Sequence, residues 1–105
     1  MLDKTEVKRI KKTIKDEDVF MADVFDVLGD KNRFRIIKIL IKHGELCVSD
    51  LAAILGISIS SISQHLRILE MKDLVAGERM GQMMCYRVVL DNPKVEVIIK
   101  TIKKL

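Results

Sequence analysis

The stretch VSDLAAILGISISSISQHLRILEMK, residues 48–72, decides the fold. Val48, Leu51, Ala52 and Leu55 recur at i, i+3, i+4 and i+7, a pattern that predicts a two-turn helix. Gly56 breaks it, Ile57 starts the next unit, and Ser58 suits an N-cap because its hydroxyl can accept from a free backbone N–H. A longer helix then runs to about Lys72, with Ile59, Ile62, Leu66 and Leu69 on one face. Two helices joined by a short turn containing Gly match the helix-turn-helix outline.

On the N-terminal side, Val7, Ile10 and Ile14 have helical spacing, so the arm is predicted to form a short amphipathic helix. A second helix carries Phe20, Val24, Val27 and Leu28 on one face, starts near Asp16 and Asp18, where acids suit the dipole, and ends at Gly29. A third runs from Lys31 to His43, with a stripe of Phe34, Ile37, Leu40 and Ile41 widened by Ile36 and Ile39; a stripe that broad predicts burial on most sides. On the C-terminal side the period changes from 3.6 to 2. Val75 to Met80 and Met83 to Leu90 read as two strands, with Gly81-Gln82 as a tight hairpin turn. Asn92 caps a last helix, Pro93 takes its first position, and Val95, Ile98, Ile99, Ile102 and Leu105 form its apolar stripe.

The 105 residues fit one domain. Apolar residues make up 49% and charged residues 32%, which supports a packed core and argues against disorder. With one Pro, five Gly and 4% aromatics, the composition reads as mostly helical. So short a chain has a small core, which makes a dimer a reasonable expectation. The net charge of +4 is compatible with nucleic acid. It is unevenly spread: residues 1–15 carry six Lys/Arg, 16–30 six Asp/Glu and no base, and 31–44 five Lys/Arg and no acid. Such blocks suggest attraction within or between subunits as readily as a ligand site. Cys47 and Cys85 form neither a disulfide framework nor a zinc-finger spacing. No apolar run reaches the ~18 residues of a membrane span, and the charged N-terminus has no apolar signal core, so a reducing cytoplasm is the expected compartment.

The chemistry lies opposite the apolar face of the helix from Ser58 to Lys72. Ser60, Gln64, Arg67 and Met71 share that side, with Ser61 and Ser63 on its flanks. Ser, Gln and Arg donate to phosphates and to base edges in the major groove. His65 sits at the boundary, either as a packing residue or reaching DNA. Arg79, just before the hairpin tip, is the expected phosphate contact of the ribbon, ahead of Arg87. His43 reads as a helix-end residue, and Met71, Met80, Met83 and Met84 as adaptable filling around the hairpin. No glycine-rich phosphate loop, metal-ligand cluster or Ser/His/Asp set stands in a suitable context, so neither an enzyme nor a cofactor is expected.

Residues Phe25 to Leu90 resemble the winged helix-turn-helix of the arsenical-resistance-operon repressor (ArsR-type) family. The resemblance rests on VFDVLGDKNRFRIIKIL (24–40), ELCVSDLAAILGISISSISQHLRILEMKDLV (45–75) and ERMGQMMCYRV (78–88), about two thirds of the chain. The first is similar to the family's leading ALGDPTRLRIL pattern, the second to its S-x-x-S-x-H-L-x-x-L recognition stretch. The fold so implied is mainly α, an α+β winged helix-turn-helix with about six helices and a two-stranded wing. Residues 1–28 would be support and dimerisation helices, 48–72 the helix-turn-helix, 75–90 the wing and 92–105 a dimerisation helix. The function implied is a homodimeric repressor on a palindromic double-stranded DNA operator, released by a signal. Many members place a Cys-x-Cys pair in ELCVCDL, but here Ser49 replaces the second thiol; other members use Asp and His on the last helix, where this chain has no His and carries Asn92 and Lys94. A soft-metal site needs two or three thiolates, so no metal is expected. Cys47, at the start of a helix whose dipole favours a thiolate, is a possible redox sensor, with a small capping or buried residue as the plainer alternative. A Cys47–Cys85 bond would need Cα atoms within ~7 Å. A winged-helix protein-interaction module and a thiol-switched regulator are the alternative functions.

Overall fold

A computed structural model describes residues 1–14 and 16–104, with nothing stated of the Asp16 and Glu17 side chains. Six helices and three strands follow one another as α1 (Lys4–Lys11), α2 (Asp16–Gly29), α3 (Lys31–His43), β1 (Leu46–Cys47), α4 (Val48–Leu55), α5 (Ile59–Met71), β2 (Val75–Met80), β3 (Met83–Val88) and α6 (Pro93–Lys103). The mainly α reading holds, with one addition. The two-stranded wing is the β2–β3 hairpin, and what was not read from the sequence is a third strand, which extends the sheet to the order β1-β3-β2. β1 is two residues long, pairing Leu46 with Tyr86 and Cys47 with Cys85, and a pair of residues carries no period to read.

The helix ends follow from local chemistry. Asp30 caps α3 by accepting from the N–H groups of Asn32 and Arg33, both at 2.9 Å, and Gly44 closes it with φ +78. Gly56, at φ +67, ends α4, and the chain turns by 115° before α5 begins. That angle is within the range of helix-turn-helix pairs. Ser58 caps α5 by accepting from the Ser61 N–H at 3.0 Å. Asn92 caps α6 through Lys94 N–H at 2.9 Å, with Pro93 at the first turn. α1 ends sooner than its apolar spacing predicts. Both the N–H and the hydroxyl of Thr13 turn back onto the carbonyl of Ile10, which winds the chain off the helix before Ile14. β3 likewise stops at Val88, and Asn92 begins the next turn by donating to the Val89 carbonyl. Leu105 of the expected α6 stripe lies outside the described residues.

The core draws on five helices and β2, with α2 lying directly against α6: Val24, Val27, Ile36, Ile37, Leu40, Leu51, Ile62, Leu66, Leu69, Leu74, Val75, Val95 and Ile98 are all buried. Among the described residues no single helix is long and apolar enough to cross a membrane; α4 and α5 together have suitable length and composition, but their Leu51, Ile62, Leu66 and Leu69 belong to this core. α1 contributes nothing to it. The radius of gyration is 17.2 Å, against about 13 Å for a compact chain of this length.

Candidate nucleic-acid interface

Burying Ile62, Leu66 and Leu69 fixes which side of α5 meets solvent. Ser60, Ser63, Gln64 and Arg67 are exposed on that side, as read from the sequence. Ser61 is half-buried, and its backbone is engaged by the Ser58 cap. His65 is half-buried too. Its Nδ1 is enclosed without a hydrogen-bond partner, and it lies close enough to Asp30, at the start of α3, to be among the groups that lower that carboxyl. His65 therefore sits at the seam between α5 and α3.

The wing is a two-residue hairpin. Gly81 has φ +67 while Gln82 keeps a negative φ, the pattern of a type II′ turn whose twist suits the flanking strands. In the β2–β3 register Gly77 faces Tyr86 and Arg79 faces Met84. Alternation along a strand puts Gly77, Arg79, Met84 and Tyr86 on one face and Arg87 on the other. The Tyr86 face is the one next to α5. Loss of water pushes the Tyr86 phenol above its ordinary value of 10.0, and the charges of Glu70 and Arg67 both reach it. Arg79 thus shares the sheet face toward the recognition helix, and Arg87 does not. Between the start of α5 and the wing tip lies a cleft of 260 Å³ whose walls include Ile59, Ser63, Gln82, Met83 and Met84. It brings Ser63 and the wing tip together. Among the described residues no ion pair engages Arg67 or Arg79, so both guanidinium groups remain available to an anion.

The acidic segment is largely spent inside the fold. Asp23 accepts from Lys72 and from Lys94, each at 2.7 Å, and so clamps α2 to the end of α5 and the start of α6. Those two hydrogen bonds hold its carboxyl below the ordinary 3.8, and the reciprocal bond raises Lys72 above 10.5. Asp26 meets Arg33 at 3.1 Å. The Arg33 N–H, more than any other group, holds the Asp30 carboxyl below its usual value.

Cys47 is the N-cap residue of α4, and its own N–H donates to Asp50 at 3.2 Å. Its sulfur is bonded to that of Cys85, across a Cα separation of 3.7 Å. The sequence left that pairing open on a distance it could not supply, and the Gly77–Tyr86 contact was missed. A glycine inside a strand is a signal of close approach and could have pointed to the second.

Residues 30–76 match the family model described as "Bacterial regulatory protein, arsR family". The chain is 34% identical over 95 residues to the cadmium resistance transcriptional regulatory protein CadC homolog of Staphylococcus aureus, a match covering 90% of this chain and 77% of that one. The chain belongs to the ArsR family. It is also 42% identical over 66 residues to the transcriptional repressor SmtB homolog of Synechocystis sp., covering 63% of this chain and 49% of that one, so the match spans about half of that relative's length. Among solved structures, the antimony-specific transcriptional repressor AntR superimposes with a TM-score of 0.73 at 28% identity, covering 85% of this chain and 79% of that one. ArsR relatives carry regulatory rather than enzymatic names, in accord with the absence of catalytic motifs.

The metals named for two of these relatives do not fit the residues of this ArsR chain. Cys47 has its sulfur in a bond to Cys85, Ser49 offers no thiolate, and Lys94 is paired with Asp23. Among the described residues no three His, Cys, Asp or Glu side chains converge on a point.

Proposed function

We propose that this ArsR-family chain is a sequence-specific DNA-binding transcriptional regulator, acting in the cytoplasm as a homodimeric repressor on a palindromic operator and released by a signal. The observation that carries this reading is the exposed polar face of Ser60, Ser63, Gln64 and Arg67 beside a wing whose Arg79 lies on the same side of the sheet. In this reading Ser60, Ser63 and Gln64 meet base edges or nearby phosphates in the major groove, with His65 bracing α5 from its inner edge. Ser61, Arg67 and Arg79 hold the phosphate backbone. The dimer reading is supported by apolar residues left without cover: Val7 and Ile10 on α1 are 39% and 45% exposed, and Phe25 on α2 is 66% exposed.

Fluorescence anisotropy tests it, comparing duplex from upstream of the gene with a scrambled duplex near physiological salt. A preference of about 10³-fold or more supports the regulator. Weak, equal binding to both, with random-site selection also recovering no preferred duplex, overturns it.

A further inference from the structure

We infer that Cys47 and Cys85 form a reversible thiol–disulfide site that sets the affinity of the DNA-binding surface, with the bonded form the tighter binder. The inference rests on the DNA-binding reading above.

The position of the bond carries it. Cys47 is the residue from which α4, the first helix of the helix-turn-helix, departs. Cys85 lies in β3, the return strand of the wing, and is fully buried. Val48 and Ser49 directly follow the first cysteine, Met83 and Met84 directly precede the second, and all four line the cleft between the recognition helix and the wing tip. The bond therefore ties the start of α4 to the return strand of the wing, one residue from side chains that line that cleft. Besides the cysteine pair, β1 has only the Leu46–Tyr86 pair to hold it against β3. So small a strand gains much from a covalent tie, and holding the wing in place beforehand lowers the ordering cost of binding. In a reducing compartment a disulfide of this kind is transient and reports the redox state.

The chemistry balances with a hydroperoxide as oxidant. The half-buried Cys47 is the reachable sulfur, at a helix start that favours its thiolate. The thiolate attacks the peroxide: a sulfur–oxygen bond forms, the oxygen–oxygen bond breaks, and an alcohol (or water, from hydrogen peroxide) leaves with a proton. Cys85 then attacks the Cys47 sulfenic acid, the sulfur–sulfur bond forms and water departs. Two thiols lose two electrons in all, and the hydroperoxide gains them.

The test uses the full chain, first reduced with dithiothreitol and then oxidised with hydrogen peroxide, and titrated by anisotropy against a duplex selected from random sequence. Peptide mapping follows the Cys47–Cys85 bond in parallel. The oxidised form is expected to bind about tenfold more tightly than the reduced form. Cys47→Ser is expected to stay at the reduced affinity under peroxide; Cys85→Ala serves the same purpose should Cys47→Ser misfold. Equal affinities with the bond mapped as formed, tighter binding by the reduced form, or a response kept by Cys47→Ser would each overturn the inference. If neither form binds any duplex, it is the DNA-binding reading that fails, and hydrogen exchange of the 80–84 amides then decides the coupling. Slower exchange in the oxidised form keeps the bond as a clamp on the wing, and equal exchange removes it.

Discussion

At the scale of the residue, Gln64 and Arg79 are assigned different work, and the difference can be measured. An exposed amide on the outer face of α5 can pair with one base edge, so Gln64→Ala should lose about 1–3 kcal/mol of discrimination at a single operator position and leave random DNA little affected. In the proposed reading Arg79 meets a phosphate, which every sequence has. Arg79→Ala should weaken all duplexes alike and lower the slope of log affinity against log salt by about one. Identical losses from both changes on operator and random duplex would reject this division. Gly77 acts by having no side chain. A Cβ there would come within 2.7 Å of Tyr86 Cε1 and 3.2 Å of the Met84 methyl. The Tyr86 ring is half-buried between the sheet and α5 and has little room to yield, so Gly77→Ala should cost about 1–3 kcal/mol in a denaturant titration. The cost should largely vanish in a Tyr86→Ala background, where nothing is left to collide with; a cost unchanged in that background would place its origin in the backbone instead.

At the scale of the element, the Asp23 clamp makes the packing of α2 on α5 and α6 depend on pH. The folded protein holds Asp23 below 3.8 because Lys72 and Lys94 donate to it. A depressed carboxyl gives stability that is fully present above the unfolded value and is lost as pH falls through the folded one. Lys72 is raised, so its share is present below 10.5 and is lost as pH rises through the higher folded value. Asp23→Asn should therefore lower Tm near neutral pH, and the deficit against the native chain should shrink as the pH falls below 3.8. A deficit of constant size over that range would show that packing, not charge, holds these helices together. The clamp also marks where sequence reading stops. The acidic block at 16–30 was legible as a source of internal attraction, but its partners lie 49 and 71 residues away, beyond any local pattern. The elements with a period of their own were legible: α3 from Lys31 to His43, α5 with its Ser58 cap, and the Gly81-Gln82 hairpin all stand where spacing and turn chemistry put them. β1 and the Cys47–Cys85 pairing were not, because only the register of distant strands creates them. At the interface, exposure of Ser60, Gln64 and Arg67 followed from the helix period, whereas the half-burial of His65 depends on where α3 begins.

At the scale of the whole molecule, the long dimension of 60 Å against 26 and 24 Å needs a cause. α1 is a well-capped helix: Asp3 accepts from the Glu6 N–H at 2.8 Å and Glu6 reaches back to the Asp3 N–H. Yet eight residues are too few for a helix to persist alone in water, where isolated helices below about 12 residues are marginal. Its Val7 and Ile10 remain uncovered, and no residue of α1 is buried. A second copy that brought its own α1 and α2 across this face would supply the missing apolar contacts, and the same step would set two α5 helices on one side of a dimer, as a palindromic operator requires. Replacing both Val7 and Ile10 with Glu should convert the proposed dimer to a monomer in sedimentation equilibrium. The change leaves the buried core around Ile62 and Leu66 untouched, so helical content should be nearly kept. Binding to the full palindrome should fall towards that of a single half-site, while each half-site still discriminates, because Gln64 and its neighbours are unchanged. Should the double variant sediment as a dimer, the apolar stripe of α1 would not be the dimer contact. If it were monomeric yet bound the palindrome with native affinity, the chain would recognise DNA as a single copy.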